Sequence, residues 1–231
     1  MEMMAPQTRQ TAMQLRKAKR RRQMLDVAAY LFASHGFYQT STKALADYGE
    51  FSEGSFFSYF HNKDGILRAI HHELWVAIYT EAKLSVRQHE TPKEQITDFC
   101  DRLVDVLIEH ADYARVAALT IYPVPSDAER RTQVDELSRS KYFDRFRRLT
   151  MRWMMAIAKS MNATKPRAVA DVVFHFGMGS VAECVCRYRL QQRDESRIRT
   201  NFSPDDIKSI LKRVVVLLLQ TSEPHKQGPN E

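Results

Sequence analysis

Residues 40–67 read TSTKALADYGEFSEGSFFSYFHNKDGIL. Within them, residues 51–60 carry five aromatics, three serines and a glycine. A buried strand would not hold so many hydroxyls, and an exposed loop would not hold so many phenylalanines. A pair of short helices accommodates both. Ser41 or Thr42 caps a helix over TKALADY, with Leu45 and Ala46 turned inward. Gly49-Glu50-Phe51 then connects to EGSFFSYF, which Ser52 caps. Phe56 and Phe60 pin this second helix to a core, and Phe51 anchors the turn. Helices of two turns or fewer do not persist alone. Two of them joined by a three-residue turn and backed by a longer helix have the helix-turn-helix layout.

The surroundings supply the longer helices. Met24, Val27, Ala28, Leu31 and Phe32 recur at helical spacing, and Gly36 is placed to end that first helix. Asn62 caps a fourth helix with Ile66, Leu67, Ile70, His71, Leu74, Trp75 and Ile78 inward, running to about residue 89. Thr91-Pro92-Lys93-Glu94 spells a capping box with proline at the first helical position. A sixth helix covers about 111–121, a seventh about 126–160, an eighth about 166–192 and a ninth begins at Pro204. The expected fold is all-α with about nine helices. The expected division is a basic disordered arm over 1–19, a helix-turn-helix domain over 20–66, a larger helical domain over 67–222 and a disordered tail over 223–231.

The formal net charge of the 231 residues is +7. Residues 1–22 hold seven Lys/Arg against one acid, Glu2. Such an arm suits a polyanion, although charge alone equally fits a solubilising tail. The basic N-terminus lacks an apolar stretch behind it, so it does not read as a signal peptide. The longest apolar run, VVVLLL at 214–219, is far short of the roughly 20 residues that a membrane helix needs. Three cysteines make no disulfide framework, which fits a cytoplasmic location, and the short apolar run fits no membrane association.

The eighth helix has no Lys or Arg over 168–186, and the ninth carries VVVLLL. A helix apolar on most sides is covered on most sides. A partner chain packing helices eight and nine into a four-helix bundle would do this, giving a homodimer; helices five to seven of the same chain are the other candidates. The seventh helix is two-faced. Phe143, Phe146, Leu149, Trp153 and Ile157 line one side, and Arg145, Arg148 and Arg152 the other.

From about Arg22 to Leu67 the sequence resembles the TetR family of bacterial transcriptional regulators. The resemblance rests on Ala28-Ala29, Leu31-Phe32, Gly36-Phe37, Thr40-Ser41, Leu45-Ala46, Ser52, Gly54, Tyr59-Phe60, Lys63-Asp64 and Leu67. It implies that Ser41 caps helix two and meets phosphate, that Glu53, Gly54 and Ser55 face the major groove, and that Tyr59 and Lys63 hold the DNA backbone. Thr42, Ser52, Phe57 and Ser58 complete the candidate surface. Arg20, Arg21 and Arg22 stand where an arm would reach a groove or phosphates. Three positions depart from the family pattern. Glu50 stands where glycine is usual, so either the turn is adjusted or Glu50 adopts the unusual backbone. Phe57 replaces a frequent tyrosine. Glu53 replaces a frequent lysine or arginine, and it either accepts from a cytosine amine or caps the helix amides.

The resemblance further implies an effector pocket within helices four to seven. Trp75, Tyr79, Phe99, Leu103, Ile121, Tyr122, Trp153, Met154 and Phe176 are the lining candidates, which favours an apolar or amphipathic small molecule. The reading is a ligand-responsive, sequence-specific regulator, in the first instance a repressor on a palindromic double-stranded DNA operator. A helical interaction module whose head does not read DNA is the alternative. No catalytic constellation, cofactor motif or metal site is expected. His71-His72-Glu73 points its ligand types to different helix faces, and Cys184 and Cys186 diverge by about 200° on a helix.

Overall fold

The computed structural model describes residues 6–121, 141–160 and 202–220, and a subset of 165–192. Every regular element among the described residues is helical: α1 (Pro6–His35), α2 (Thr42–Gly49), α3 (Glu53–Phe60), α4 (Lys63–Gln88), α5 (Pro92–Glu109), α6 (Ala111–Ile121) and α7 (Lys141–Ser160). Helical residues within 166–192 are called α8, and Pro204–Gln220 is α9. The expected tail over 223–231 and the first part of the seventh predicted helix lie outside the described residues, as do Tyr122 and Phe176.

Local chemistry sets the boundaries. Ser41, Ser52, Asn62 and Thr91 are all N-caps, each accepting from a backbone amide three residues on. The capping box at Thr91 and Glu94 is complete, and Ser203 with Asp206 forms the equivalent pair before α9. Gly36 ends α1 at φ 89°, a conformation that glycine adopts without a Cβ penalty. The α2–α3 turn uses Glu50 instead, at φ 55° and ψ 39°. Its amide reaches back toward Ala46 and Asp47, and the left-handed backbone costs a non-glycine residue about 1 kcal/mol.

The arm differs from expectation. Residues 6–19 continue α1 instead of forming a disordered segment, so Arg16, Lys17 and Lys19 are displayed on a helix. The reason is compositional. After Pro6, which suits a first helical position, Gln, Ala, Met, Leu, Lys and Arg dominate, and all are good helix formers. Packing of the C-terminal half supplies the nucleus: Met24, Leu25, Ala28, Ala29, Phe32 and Ala33 are buried.

A continuous hydrophobic cluster joins the head to the body through α4, whose Ile66, Leu67, Ile70, Leu74 and Ile78 are buried. Helix α4 thus crosses the 66/67 boundary without interruption. Around it pack α5, α6 and α7, with Phe146 and Trp153 of α7 against Phe99 of α5. Arg102 clamps α5 to α4: Nε donates to Asp98 at 2.6 Å and Nη1 to Glu81 at 3.1 Å.

Helix α9 is not apolar all round. Ile207, Leu211 and Val215 are buried within the chain, flanked by Lys208–Asp105 and Lys212–Asp101 ion pairs to α5. Ile210 and Leu217 stand on the outer side, about half exposed.

Candidate nucleic-acid interface

The head is α1–α3 with the first turn of α4. Phe56 and Phe60 are buried, and Phe51 meets Phe56 edge-on at 5.7 Å, so one face of α3 is fixed to the core. The other face is open. Ser52, Glu53, Gly54, Phe57 and Ser58 are exposed, and Ser55 and Tyr59 are half-buried. Nothing lies within 4 Å of where a Cβ on Gly54 would be, leaving space for a nucleic-acid backbone. Ser41 Oγ accepts from the Ala44 amide at 3.0 Å, and its hydroxyl proton remains available to a phosphate. Exposed amides at two helix N-termini complete a surface suited to anions.

The structure distributes the other candidates differently. Glu53 neither reaches into open space nor caps its own helix alone. Its carboxylate accepts from Thr42 Oγ1 at 3.1 Å, bridging the first turns of α2 and α3, where a negative charge is favoured by both dipoles. Ser58 donates to the Ser55 carbonyl at 2.9 Å, and the Ser52 and Ser55 hydroxyls pair at 2.8 Å. Lys63 is occupied within the chain: Nζ donates to the carbonyls of Phe37 at 2.9 Å and Thr40 at 3.2 Å, above the Phe37 ring. In this state it braces the α1–α2 loop.

Of the three arginines, Arg20 lies over the Phe51 ring at 5.2 Å and Arg21 over the Phe60 ring at 5.4 Å, both within the head. Arg21 pairs with Glu73 of α4 at 2.8 Å. Arg22 contacts Asp26 at 3.1 Å and lies over Tyr113 of α6 at 5.2 Å. These two tie the head to the body. Tyr113 adds to the tie by donating to Asp26 at 2.7 Å, and burial with that carboxylate pushes its phenol well above its ordinary pKa. Arg115 Nε donates to the Ala33 carbonyl at 2.8 Å.

Two exposed cations were not singled out from the sequence. Lys43 sits at the second position of α2, where the helix dipole disfavours a cation unless an anion arrives, and that placement was the available signal. Lys17 lies over the Tyr59 ring at 5.9 Å and is within reach of the head because α1 is helical there.

Of the effector candidates, Trp75, Phe99, Leu103, Trp153 and Met154 are buried core residues. The cavity that Phe99, Leu103 and Met154 line holds only about 30 Å³, the space of a water molecule. Trp75 stacks with Phe146 and meets Phe143 at a tilt, and its Nε1 is buried without a partner. Tyr79 instead lines a larger cleft, and Ile121 ends α6.

The geometry is that of a helix-turn-helix head: a capped, exposed second helix on a three-helix unit, joined to an all-helical body. Residues 24–70 match the family model described as bacterial regulatory proteins, tetR family. The fold is shared with solved structures at low identity. A fatty acid degradation regulator FadR from Bacillus halodurans is 18% identical, with 86% of this chain and 94% of that one covered at a TM-score of 0.63. A TetR-family regulator from Bordetella parapertussis 12822 is 17% identical, with 85% and 93% covered at 0.65. FadR from Bacillus subtilis, solved with stearoyl-CoA, is 18% identical, with 85% and 96% covered at 0.62. No curated protein matches the sequence. The match places residues 24–70 on that family's DNA-binding head, and the likeness to the solved structures extends a shared all-α fold over the body.

Replacing Glu53 by Gln tests its role. Gln retains an acceptor for Thr42 and removes a negative charge near phosphates. Affinity is expected to rise several-fold, and equally, on specific and random duplexes at low salt. Competition binding reads this; a loss confined to one base position would show a base contact instead.

Proposed function

We propose that this protein is a homodimeric repressor that reads a near-palindromic operator and is released from it by an amphipathic small molecule. The observation that carries this reading is the open face of α3, held on a core-pinned helix whose head is bonded to the body at Arg21–Glu73, Tyr113–Asp26 and Arg115–Ala33. A head tied at several points to α4 and α6 moves as a unit with them. A ligand that prefers one arrangement of the body therefore shifts the spacing of two heads. DNA requires that spacing to be about 34–36 Å.

The outer apolar side of α9, with Ile210 and Leu217, supports dimerisation through α8 and α9. The stearoyl-CoA held by Bacillus subtilis FadR supports an amphipathic effector. The aromatic interior around Trp75 and Trp153 would have to open for an acyl chain, and the unpaired Trp75 Nε1 would then donate to an acyl carbonyl or to water. A protein working on DNA in this way acts in the cytoplasm.

Selection from a random duplex library tests the reading. Enrichment of an inverted repeat is expected, with stearoyl-CoA as the first candidate for release. Recovery of no duplex above background at low salt would overturn it. Deleting residues 1–19 removes four cations from α1. Binding should weaken alike on all sequences, and the salt slope should flatten by up to about 0.9 for each phosphate that α1 no longer neutralises. An unchanged slope would show that this part of α1 does not touch DNA.

A further inference from the structure

A roomy cleft lies on the side of α7 opposite the aromatic core, between α7, the last turns of α4 and the start of α8. Its volume is about 760 Å³, within the usual range for small-molecule sites. Seven cationic side chains line it, among them Arg87, Arg145, Arg148, Arg152 and Arg167, against one acid, Asp171. Other arginines are neutralised: Arg21 by Glu73, Arg102 by Asp98 and Glu81, and Arg187 by Glu183. Arg87, Arg148, Arg152 and Arg167 form no ion pair among the described residues. Like charges repeated along one helix face are destabilising, and their gathering in a concave site is relieved by a bound anion.

The cleft is not part of the DNA footprint of its own head. Lys83, which lines it, lies 20 residues along α4 from Lys63, about 30 Å at 1.5 Å per residue. Nor is it purely polar. Leu149, Met151, Met155 and Tyr79 contribute apolar surface beside the guanidinium groups. We propose that this cleft binds the head of an amphipathic small molecule carrying two or more phosphate charges. The arginines hold the phosphates, and the methionines and Leu149 cover the adjoining apolar portion. The proposal rests on the effector-gated reading above and deepens it. Lys83 and Arg87 belong to the same helix that enters the head at Lys63, so an anion drawing them toward α7 acts on the helix that carries the head.

The test uses the full chain, with farnesyl diphosphate, tripolyphosphate and farnesol as probes in titration calorimetry at about 50 and 200 mM salt. The diphosphate should bind most tightly, tripolyphosphate more weakly and farnesol least, with the two anions losing affinity as salt rises. The double variant Arg148→Gln/Arg152→Gln should weaken both anions by about tenfold or more while its melting temperature stays the same or rises. Unchanged affinity in that variant, farnesol binding as tightly as the diphosphate, or no binding of either anion by the natural sequence would each overturn the proposal. A gel shift on the selected operator separates the two readings. Anion binding that depends on the arginines but leaves the DNA complex undisturbed keeps the site and defeats its gating role. Release of DNA by an uncharged ligand, equally from both proteins, keeps the gating and defeats this site.

Discussion

Replacing Gly65 by Ala should abolish operator binding and destabilise the head by about 3 kcal/mol or more. A Cβ at this position would lie 1.9 Å from the Phe60 carbonyl oxygen, which is backbone and has no rotamer with which to retreat. The junction is already constrained. His61 sits at φ 67°, its amide donates to Phe57 at 2.9 Å, and Asn62 caps α4 through the Gly65 amide at 2.7 Å. Room for the methyl can come only from shifting α3 against α4 or from releasing the cap. Either change misaligns the recognition helix with the helix that links it to the body. Gly54→Ala is the matched control. Its Cβ meets nothing within 4 Å, so folding should be unharmed or improved by up to about 1 kcal/mol, and any loss of DNA binding reports the methyl in the interface. Thermal unfolding and gel shifts on the two variants check this. Operator binding by Gly65→Ala equal to that of the natural sequence would show that the junction has slack.

The contrast between these glycines shows what the sequence could reveal. Caps and turns are local, so Ser41, Ser52, Asn62 and the Thr91–Glu94 box could be read from four-residue windows, and the limits of α3 followed from them. Contacts distant in sequence could not be read that way. Arg21 and Arg22 look like DNA-facing cations in a basic run, yet Arg21 pairs with Glu73, 52 residues away on α4, and Arg22, besides its neighbour Asp26, lies over Tyr113 of α6. Glu53 offered a choice between a base and its own helix. The structure gives it Thr42, 11 residues earlier, which only the folded turn brings near. For Lys63, the carbonyls of the α1–α2 loop come within reach only once α4 is docked against it.

The body was legible as helices but not as a site. The aromatic stripe of α7 and the inner stripe of α4 were visible as periodicity, and in the fold they meet, with Trp75 4.6 Å from Phe143. Periodicity cannot say whether two apolar faces enclose a ligand or close on each other, and in this state they close. The arginine face of α7 was equally visible, but its concavity depends on where α4 ends and α8 begins. Within the VVVLLL run of α9, Val215 is buried inside the chain and Leu217 stands on the outer side, half exposed. Helical phase decides that division, not total hydrophobicity.

Acidification should destabilise the protein through His71, well before the carboxylates titrate. The ring is buried on α4, and its Nε2 lies 2.8 Å from Thr120 Oγ1 of α6. The Thr120 hydroxyl already donates to the Val116 carbonyl at 2.7 Å, so His71 donates through Nε2–H and Nδ1 is the unprotonated nitrogen. Nδ1 is buried without a partner, so a proton there would create a charge with nothing to receive it. Burial accordingly lowers the pKa from 6.5 to about 4. Because the folded value is the lower one, the unfolded chain takes up a proton that the folded chain refuses between those two values. His71 contributes nothing above pH 6.5, and stability falls as pH drops from there toward 4. At pH 4.5 the loss is roughly 2–3 kcal/mol. Urea unfolding at pH 7.5, 5.5 and 4.5 should show this excess loss in the natural sequence relative to His71→Gln, which keeps a polar group near Thr120 and does not titrate. Parallel pH profiles for the two proteins would show that the ring finds a partner or solvent when it protonates. Since His71 joins α4 to α6, the helices to which Arg21 and Tyr113 tie the head, partial opening there at mild acidity should also weaken operator binding. The weakening should follow the same proton and be absent in His71→Gln.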